Sequence, residues 1–191
     1  GMAKGAGMLA PALATMLVVL TTDADLTAAD ADFALRQATK YSFDRLDSDG
    51  CMSTNDTVIL LASGASGVSP DVPEFTEQLT QVCASLAKQL LADAEGASHD
   101  ISVTVVNAAT EDDAVDVARS VTRSNLFKTA IFGNDPNWGR VLASAGTSTA
   151  TFDPDRVSVS FNGVRVFDTG GLGEDRSLVD LTPREVAVEI D

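Results

Sequence analysis

The sequence predicts a mixed α/β (α+β) fold, and three observations carry that prediction. Short apolar, β-prone runs recur along the chain; segments with apolar residues at three-to-four spacing stand between them; and one Asn-Gly pair separates two alternating valine runs. The two kinds of segment are interleaved throughout, so neither an all-helical nor an all-strand architecture fits. With 191 residues the chain has room for one large domain or two small ones, and enough length to bury a real core.

The elements follow in order. TMLVVLTTD, from Thr15 to Asp23, is short and apolar and reads as a buried strand. Thr27 offers an N-cap for a helix to about Leu46, with Phe33, Ala34, Ala38, Tyr41 and Leu46 near one face. After the polar loop DSDGCMSTND, Thr57 to Ala62 reads as a second strand. The clearest helix starts near Pro73 and closes at Glu95-Gly96, with Phe75, Leu79, Val82, Leu86 and Leu90 as its core-facing stripe. Ile101, Val103 and Val105 alternate as in a half-buried strand.

Glu111 to Asn125 reads as a helix with acids in its first turn and Arg119 and Arg123 toward its end, as the helix dipole favours. The short apolar run Thr129 to Phe132 leads into GNDPNWGR, Gly133 to Arg140. There Asp135 as N-cap and Pro136 as first helical residue predict a helix through Ala145. Val157, Val159 and Phe161 alternate, Asn162-Gly163 is the strongest hairpin signal in the chain, and Val164 and Val166 return. A soft boundary at Gly96 to Asp100 divides the chain into residues 1–97 and 98–191. It opens on Gly-Met-Ala-Lys and closes on Val-Glu-Ile-Asp in mid-pattern, and neither end reads as a natural terminus.

Charge removes several classes of function. Lys and Arg total 13 against 28 Asp and Glu, a net charge of −15, so neutralising a phosphate backbone is implausible and no nucleic-acid partner is expected. The acids are scattered, as on a solvated surface. The longest apolar run, Leu9 to Leu20, is broken by Pro11 and Thr15 and is too short to span a bilayer. It lacks the charged leader and cleavage pattern of a signal peptide, so neither membrane nor export is expected. Cys51 and Cys83 lie 32 positions apart without a CxxC pattern. A single disulfide is open to them, but Cys83 falls on an apolar helical face, where a buried thiol suits a reducing cytoplasm.

Motifs remove more. There is no GxxxxGK[ST], and Gly5 and Gly7 are not preceded by a strand, so a Gly-rich phosphate loop has no support. His99 is the only histidine, which excludes a His-rich zinc site and leaves a Ser-His-Asp triad resting on one loop residue. Asp47-Ser-Asp49-Gly50 invites a calcium reading, but aligning Gly50 to the sixth position of an EF-hand loop puts Arg45 at the first ligand position and Asp56 where the bidentate Glu belongs. Turn chemistry explains Asp-Gly there, and no metal site is expected.

With histidine scarce, a hydrolase or transferase needs another base. An N-terminal Thr supplies one, because its own α-amine, with a pKa of about 7.7–8.0, can deprotonate its hydroxyl. Such an enzyme is made as a precursor that cuts before the Thr. The pattern is a small residue, then Thr, at the head of a buried strand, and Ala14-Thr15-Met16-Leu17-Val18-Val19-Leu20 has that form.

The context is more specific. GMAKGAGMLAPALATMLVVLTTDA, Gly1 to Ala24, closely resembles the cleavage region of the ornithine acetyltransferase (glutamate N-acetyltransferase) family of arginine biosynthesis. The resemblance continues through STNDTVILLASG at Ser53 to Gly64, ADAEG at Ala92 to Gly96, KTAIFGNDPNWGRVLASAG at Lys128 to Gly146, and DPDRVSVSFNG at Asp153 to Gly163.

It implies a layered α/β sandwich of the kind shared with self-processing β-aminopeptidases. Residues 1–97 would hold the end of the α segment and the nucleophile-bearing part of β, and 98–191 a truncated C-terminal part of β. Self-cleavage would fall between Ala14 and Thr15. Thr15 would then carry an acetyl group from N2-acetylornithine to glutamate in arginine biosynthesis. Lys4 and Glu95 match the family's substrate-binding lysine and glutamate, suited to a substrate carboxylate and to the cationic amine of ornithine. No cofactor is implied; acetyl-CoA enters, in members that use it, as a substrate. The partners implied are these small amino acids and the upstream α segment, in a heterotetramer of two α and two β segments in the cytoplasm. The family's oxyanion-hole Thr-Gly pair would lie upstream of Gly1 and its C-terminal substrate contacts, including an Asn, beyond Asp191, so this stretch alone is expected to be inactive. Trp138 and Arg140 sit in a family signature without assignable chemistry, Trp138 reading as core packing. Two alternatives are an amide hydrolase on the same scaffold and a non-catalytic assembly domain that never cuts.

Overall fold

The computed structural model describes residues 1–10, 16–51 and 55–191, which fall into two compact units, Gly1–Ala97 and Ser98–Asp191. Each is a β-sheet with helices packed on it, giving the mixed α+β architecture expected from the sequence.

In the first unit three strands, β1 (Met2–Lys4), β2 (Leu17–Thr22) and β3 (Thr57–Ala62), form a sheet in that order. β1 runs antiparallel to β2, and β2 parallel to β3. The parallel pair needs a crossover, supplied by helix α1 (Ala28–Lys40). Helix α2 (Val72–Ala92) packs against α1, and both helices start on side-chain caps, Thr27 accepting from the Asp30 amide and Asp71 from that of Glu74. The seam uses small side chains: Ala34, Ala38, Cys83 and Ala87 are all 4% exposed or less. Val18 and Leu20 point into this core from β2, whereas Leu17, Ile59 and Leu61, on the alternate positions of β2 and β3, are exposed.

In the second unit β4 (Asp100–Val105), β8 (Glu185–Ile190), β5 (Val159–Phe161), β6 (Val164–Asp168) and β7 (Gly171–Leu172) form one sheet in that order. Strand β8, paired on both sides, alternates strictly, with Val186, Val188 and Ile190 buried and Glu185, Ala187 and Glu189 outside. Helices α3 (Glu111–Thr122), α4 (Asn125–Phe132) and α5 (Trp138–Ala145) accompany the sheet. Phe127, Ile131, Val141, Phe161 and Leu181 fill a core with no more than 2% exposure at any of them.

Several expected boundaries move. Helix α1 stops at Lys40, a short 3-10 turn takes Phe43–Arg45, and Phe33 and Tyr41 face solvent. Helix α2 ends at Ala92, four residues before Gly96, and its buried stripe is Leu79, Cys83, Ala87 and Leu90; Val82 is exposed. The expected helix to Asn125 closes at Thr122, because Ser124 caps a new helix that absorbs the apolar run Thr129 to Phe132. Asn137, not Asp135, caps α5, and Pro136 precedes that cap. Strands β1, β7 and β8 have no counterpart in the sequence reading. The hairpin is as expected: Phe161 pairs with Val164, and Asn162 and Gly163 take φ of 47° and 86°, both positive as a two-residue turn of this kind requires. The strand expected from Thr15 begins at Leu17, and Ala14 and Thr15 lie outside the described residues.

Candidate active site

The segment leading toward Thr15 is built first by β1. Its Lys4 is paired with Leu17, so the N-terminal segment and the strand following Thr15 lie side by side. Beyond β1 the chain is held by separate backbone and side-chain hydrogen bonds rather than by a ladder. The Glu95 amide donates to the Ala6 carbonyl at 2.7 Å. The Met8 amide donates to Asp49 Oδ2 and the Leu9 amide to Ser48 Oγ, both at 2.9 Å, and the Ser48 amide returns a bond to the Leu9 carbonyl at 2.8 Å. Met8 sits at φ 55°, a left-handed conformation that costs a non-glycine residue about 1–3 kcal/mol, and its bond to Asp49 helps hold it there.

These contacts line an open cavity of about 980 Å³, formed by Gly1 to Met8 together with Asp49, Leu86, Gln89, Leu90, Asp93 and Glu95. Lys4 and Glu95, the two substrate-binding residues expected from the sequence, both line it, and both are exposed. One wall therefore offers a cationic point charge from a strand, and another offers carboxylates from the turn after α2. That is the polarity an amino acid with a carboxylate and a side-chain amine requires. The carboxylate of Glu95 lies against Gly7: a Cβ built there would come within 3.1 Å of Glu95 Oε1. The third expected group, Thr15, and its neighbour Ala14 lie outside the described residues.

The strand that follows Thr15 is anchored at its head. The Met16 amide donates to Asp56 Oδ1 at 2.6 Å, and the Thr57 amide donates to the Met16 carbonyl at 2.9 Å. Sequence reasoning gave Ser48 no role, and weighed Asp49 and Asp56 only as positions of a rejected calcium loop. The Asp-Gly turn it preferred is present: Asp47 Oδ1 accepts from the Gly50 amide, and Gly50 has φ 74°. The only available signal for Asp56 was its place in the STNDT motif, which names a family pattern without a contact.

The other candidates are structural. His99 Nδ1 pairs with Ser98 Oγ at 2.9 Å and Nε2 with the Leu181 carbonyl at 3.1 Å, which ties a loop down. Both cysteines are free; Cys51 is exposed, and burial pushes the Cys83 thiol up to about 11, against a smaller opposing pull from Ser42. Trp138 stacks on Phe167 with centroids 4.5 Å apart and packs against the second core. Arg140 donates through Nη1 to the Leu126 carbonyl at 2.6 Å and to Thr129 Oγ1 at 2.9 Å. The NDPNWGR signature is thus the corner that fastens α5 to α4. Among the described residues no cluster of three His, Cys, Asp or Glu is placed to hold a metal ion, and no helix is long and apolar enough to cross a membrane.

Comparison with known proteins identifies the family. The model of the ArgJ family matches residues 1–191. The "Arginine biosynthesis bifunctional protein ArgJ" of Streptomyces coelicolor is 63% identical over 191 residues, and that of Streptomyces avermitilis 65%. In both cases all of this chain is matched to 50% of the relative, so the chain spans about half the length of these proteins. A crystal structure of the arginine biosynthesis bifunctional protein argJ from Bacillus halodurans superposes with a TM-score of 0.82 at 32% identity, covering 92% of this chain and 88% of that one.

Proposed function

Because this chain belongs to the ArgJ family over its whole length, we propose that it is the central part of a self-cleaving acetyltransferase whose nucleophile is Thr15. The observation that carries the proposal is the placing of Lys4 and Glu95 on one cavity, beside a chain that runs on to Ala14-Thr15. In the cut, Thr15 Oγ attacks the Ala14 carbonyl carbon, the hydroxyl proton passes to the Thr15 nitrogen as the C–N bond breaks, and an ester links Ala14 to Thr15 Oγ. Water then hydrolyses that ester, which releases the Ala14 carboxylate, the Thr15 hydroxyl and a free α-amine. In catalysis the neutral amine takes the proton from Oγ as it attacks the acetyl carbonyl of N2-acetylornithine. Ornithine leaves with that proton on its nitrogen. The amine of glutamate then attacks acetyl-Thr15, giving N-acetylglutamate and restoring the hydroxyl. Lys4 pairs with the substrate α-carboxylate, and Glu95 with the side-chain ammonium of ornithine.

The missing halves of the machinery are proposed to come from the rest of the precursor. An upstream α segment supplies the oxyanion donors and covers apolar surface, a role supported by the exposure of Leu17, Ile59 and Leu61 on one face of the β2–β3 pair. Two such αβ units form the assembled cytoplasmic enzyme, and the isolated 191-residue chain transfers no acetyl group.

Intact mass of the full-length precursor tests the reading. Two fragments divided at Ala14–Thr15, with a single uncut chain for Thr15→Ala, are expected. An uncut wild-type chain that folds normally overturns it in favour of an assembly domain. Ornithine release from acetylornithine is expected to depend on glutamate; release without it favours a hydrolase.

A further inference from the structure

We infer that the connection between α1 and β3 is a two-point clamp on the scissile segment, and that Asp56 and Asp49 are positioning residues for the self-cleavage proposed above. The inference rests on that reading. Residues 10–15 contain the bond to be cut and lie between Leu9 and Met16. Both of these flanking residues are pinned at amide and carbonyl alike. At Leu9 the amide donates to Ser48 Oγ and the carbonyl accepts from the Ser48 amide, with the Met8 amide bonded to Asp49 beside them. At Met16 the amide donates to Asp56 Oδ1 and the carbonyl accepts from the Thr57 amide. All of these partners come from one stretch of chain, residues 48–57, and they reach 39 to 41 positions along the sequence to do so.

A ladder would not need this. β2 pairs with β3 only from Leu17 onward, and β1 pairs with β2 only as far as Lys4. Between those ladders the Met8, Leu9 and Met16 amides are bonded to side-chain acceptors, and the Leu9 and Met16 carbonyls to single backbone amides. The Asp56 contact is the shortest of them, and it is made to the amide that joins Thr15 to the strand. An N-to-O acyl shift requires the attacking hydroxyl to be held against one carbonyl at near-attack geometry, and fixing both ends of a short segment removes most of its competing conformers. Asp56 and Asp49 act through Met16 and Met8, and the atoms that react are those of Ala14 and Thr15.

The test is the rate at which fragments appear from purified full-length precursor, followed by intact mass, with thermal melting run alongside. Asp56→Ala is expected to slow cutting at least 30-fold. Asp56→Asn keeps an amide oxygen that accepts from the Met16 amide and is expected to recover most of that loss, cutting three- to tenfold more slowly than wild type. Asp49→Ala is expected to slow cutting about tenfold. It keeps the clamp testable should Asp56→Ala not fold, since Asp49 is exposed. Asp116→Ala, which removes a hydrogen-bonded carboxylate in the second unit, is the stability control and is expected to cut at the wild-type rate. Cutting at the wild-type rate in Asp49→Ala or in a folded Asp56→Ala overturns the clamp while leaving the proposed function intact. So does slowing that tracks melting temperature across all variants. A wild-type precursor that never divides at Ala14–Thr15 overturns the clamp and the proposed function together.

Discussion

In residues 98–191 the strands are tied to one another and to a core of large side chains. β8 is paired on both sides, and Phe127, Phe161, Val159 and Val188 are fully or almost fully buried. In residues 1–97 the helices meet through Ala34, Ala38, Cys83 and Ala87, while Leu17, Ile59 and Leu61 stay exposed on the sheet. That first unit also holds the acidic side chains that reach some forty positions to grip the backbone on either side of Thr15. The contrast teaches a division of labour. One unit is held by its paired strands and a core of large side chains, with apolar groups such as Phe132 and Leu172 exposed outside it, and the other adds polar anchors around the segment proposed to carry the chemistry.

The largest expected effect lies in the packed unit. Phe161→Ala removes a ring with 0% exposure from the second core, and a loss of about 3–5 kcal/mol in urea unfolding of the full-length protein is expected. If the division holds, KM for acetylornithine stays within twofold of wild type. A KM that moves with stability would break the comparison by making the second core part of the site.

The next effect belongs to the cavity. Glu95→Gln is expected to raise KM for acetylornithine by about tenfold or more, since a hydrogen bond to a charged group contributes about 1.5–3 kcal/mol. Glutamate has no side-chain amine, so its KM should change little. An equal rise for both substrates would show that Glu95 does not read the ornithine ammonium and would remove one wall of the proposed site.

Legibility in the sequence follows the same contrast. The period-two and three-to-four patterns found the main strands and helices, and the Asn162-Gly163 turn was readable because positive φ at two successive residues has a narrow chemical solution. Helix ends were harder. Asp135-Pro136 looked like a helix start, but the Asn137 side chain accepts from the Arg140 amide and wins the cap. β8 carries a period-two pattern as readable as that of β4, and what the sequence hides is its place between β4 and β5, which come from distant parts of the chain. In the site, Lys4 and Glu95 were legible only through resemblance, and nothing in spacing links residue 4 to residue 95. Asp49, Ser48 and Asp56 were invisible as anchors, because a contact spanning forty positions leaves no local period.

Acid sensitivity should separate the units further. In the second unit Asp116 is held below the usual carboxylate range by the Thr149 hydroxyl and amide, Asp168 by the Ser158 and Thr169 hydroxyls, and Asp180 by the Thr182 hydroxyl and amide. A carboxyl whose folded pKa is depressed contributes stability that is present above its unfolded value of about 3.9 and lost as pH falls through the folded one. Thermal melting is therefore expected to be flat from pH 7 to about 5 and to decline below pH 4, with amide exchange rising in 98–191. In the first unit Asp32 is depressed in the same direction by exposed Arg36, a pair that salt screens. Asp116→Asn should make the acid slope shallower, and a slope unchanged by that substitution would place the acid-labile groups elsewhere.

The smallest effect tests the cavity wall most finely. Gly7 has no side chain where an ideal Cβ would stand 3.1 Å from Glu95 Oε1. That separation is tighter than ordinary contact, but the neighbour is the far end of a flexible side chain, so Gly7→Ala should be accommodated by a shift of a few tenths of an ångström in the carboxylate. Folding and the rate of self-cleavage should be unchanged, because neither Ser48, Asp49 nor Asp56 is touched. What should change is the distance from Glu95 to a bound ammonium, and with it the KM for acetylornithine, by about two- to threefold, while that for glutamate holds. If Gly7→Ala instead slowed self-cleavage, the segment from Gly5 to Leu9 would be acting as one strained piece. The polar anchors and the substrate cavity of the first unit would then be a single device rather than two.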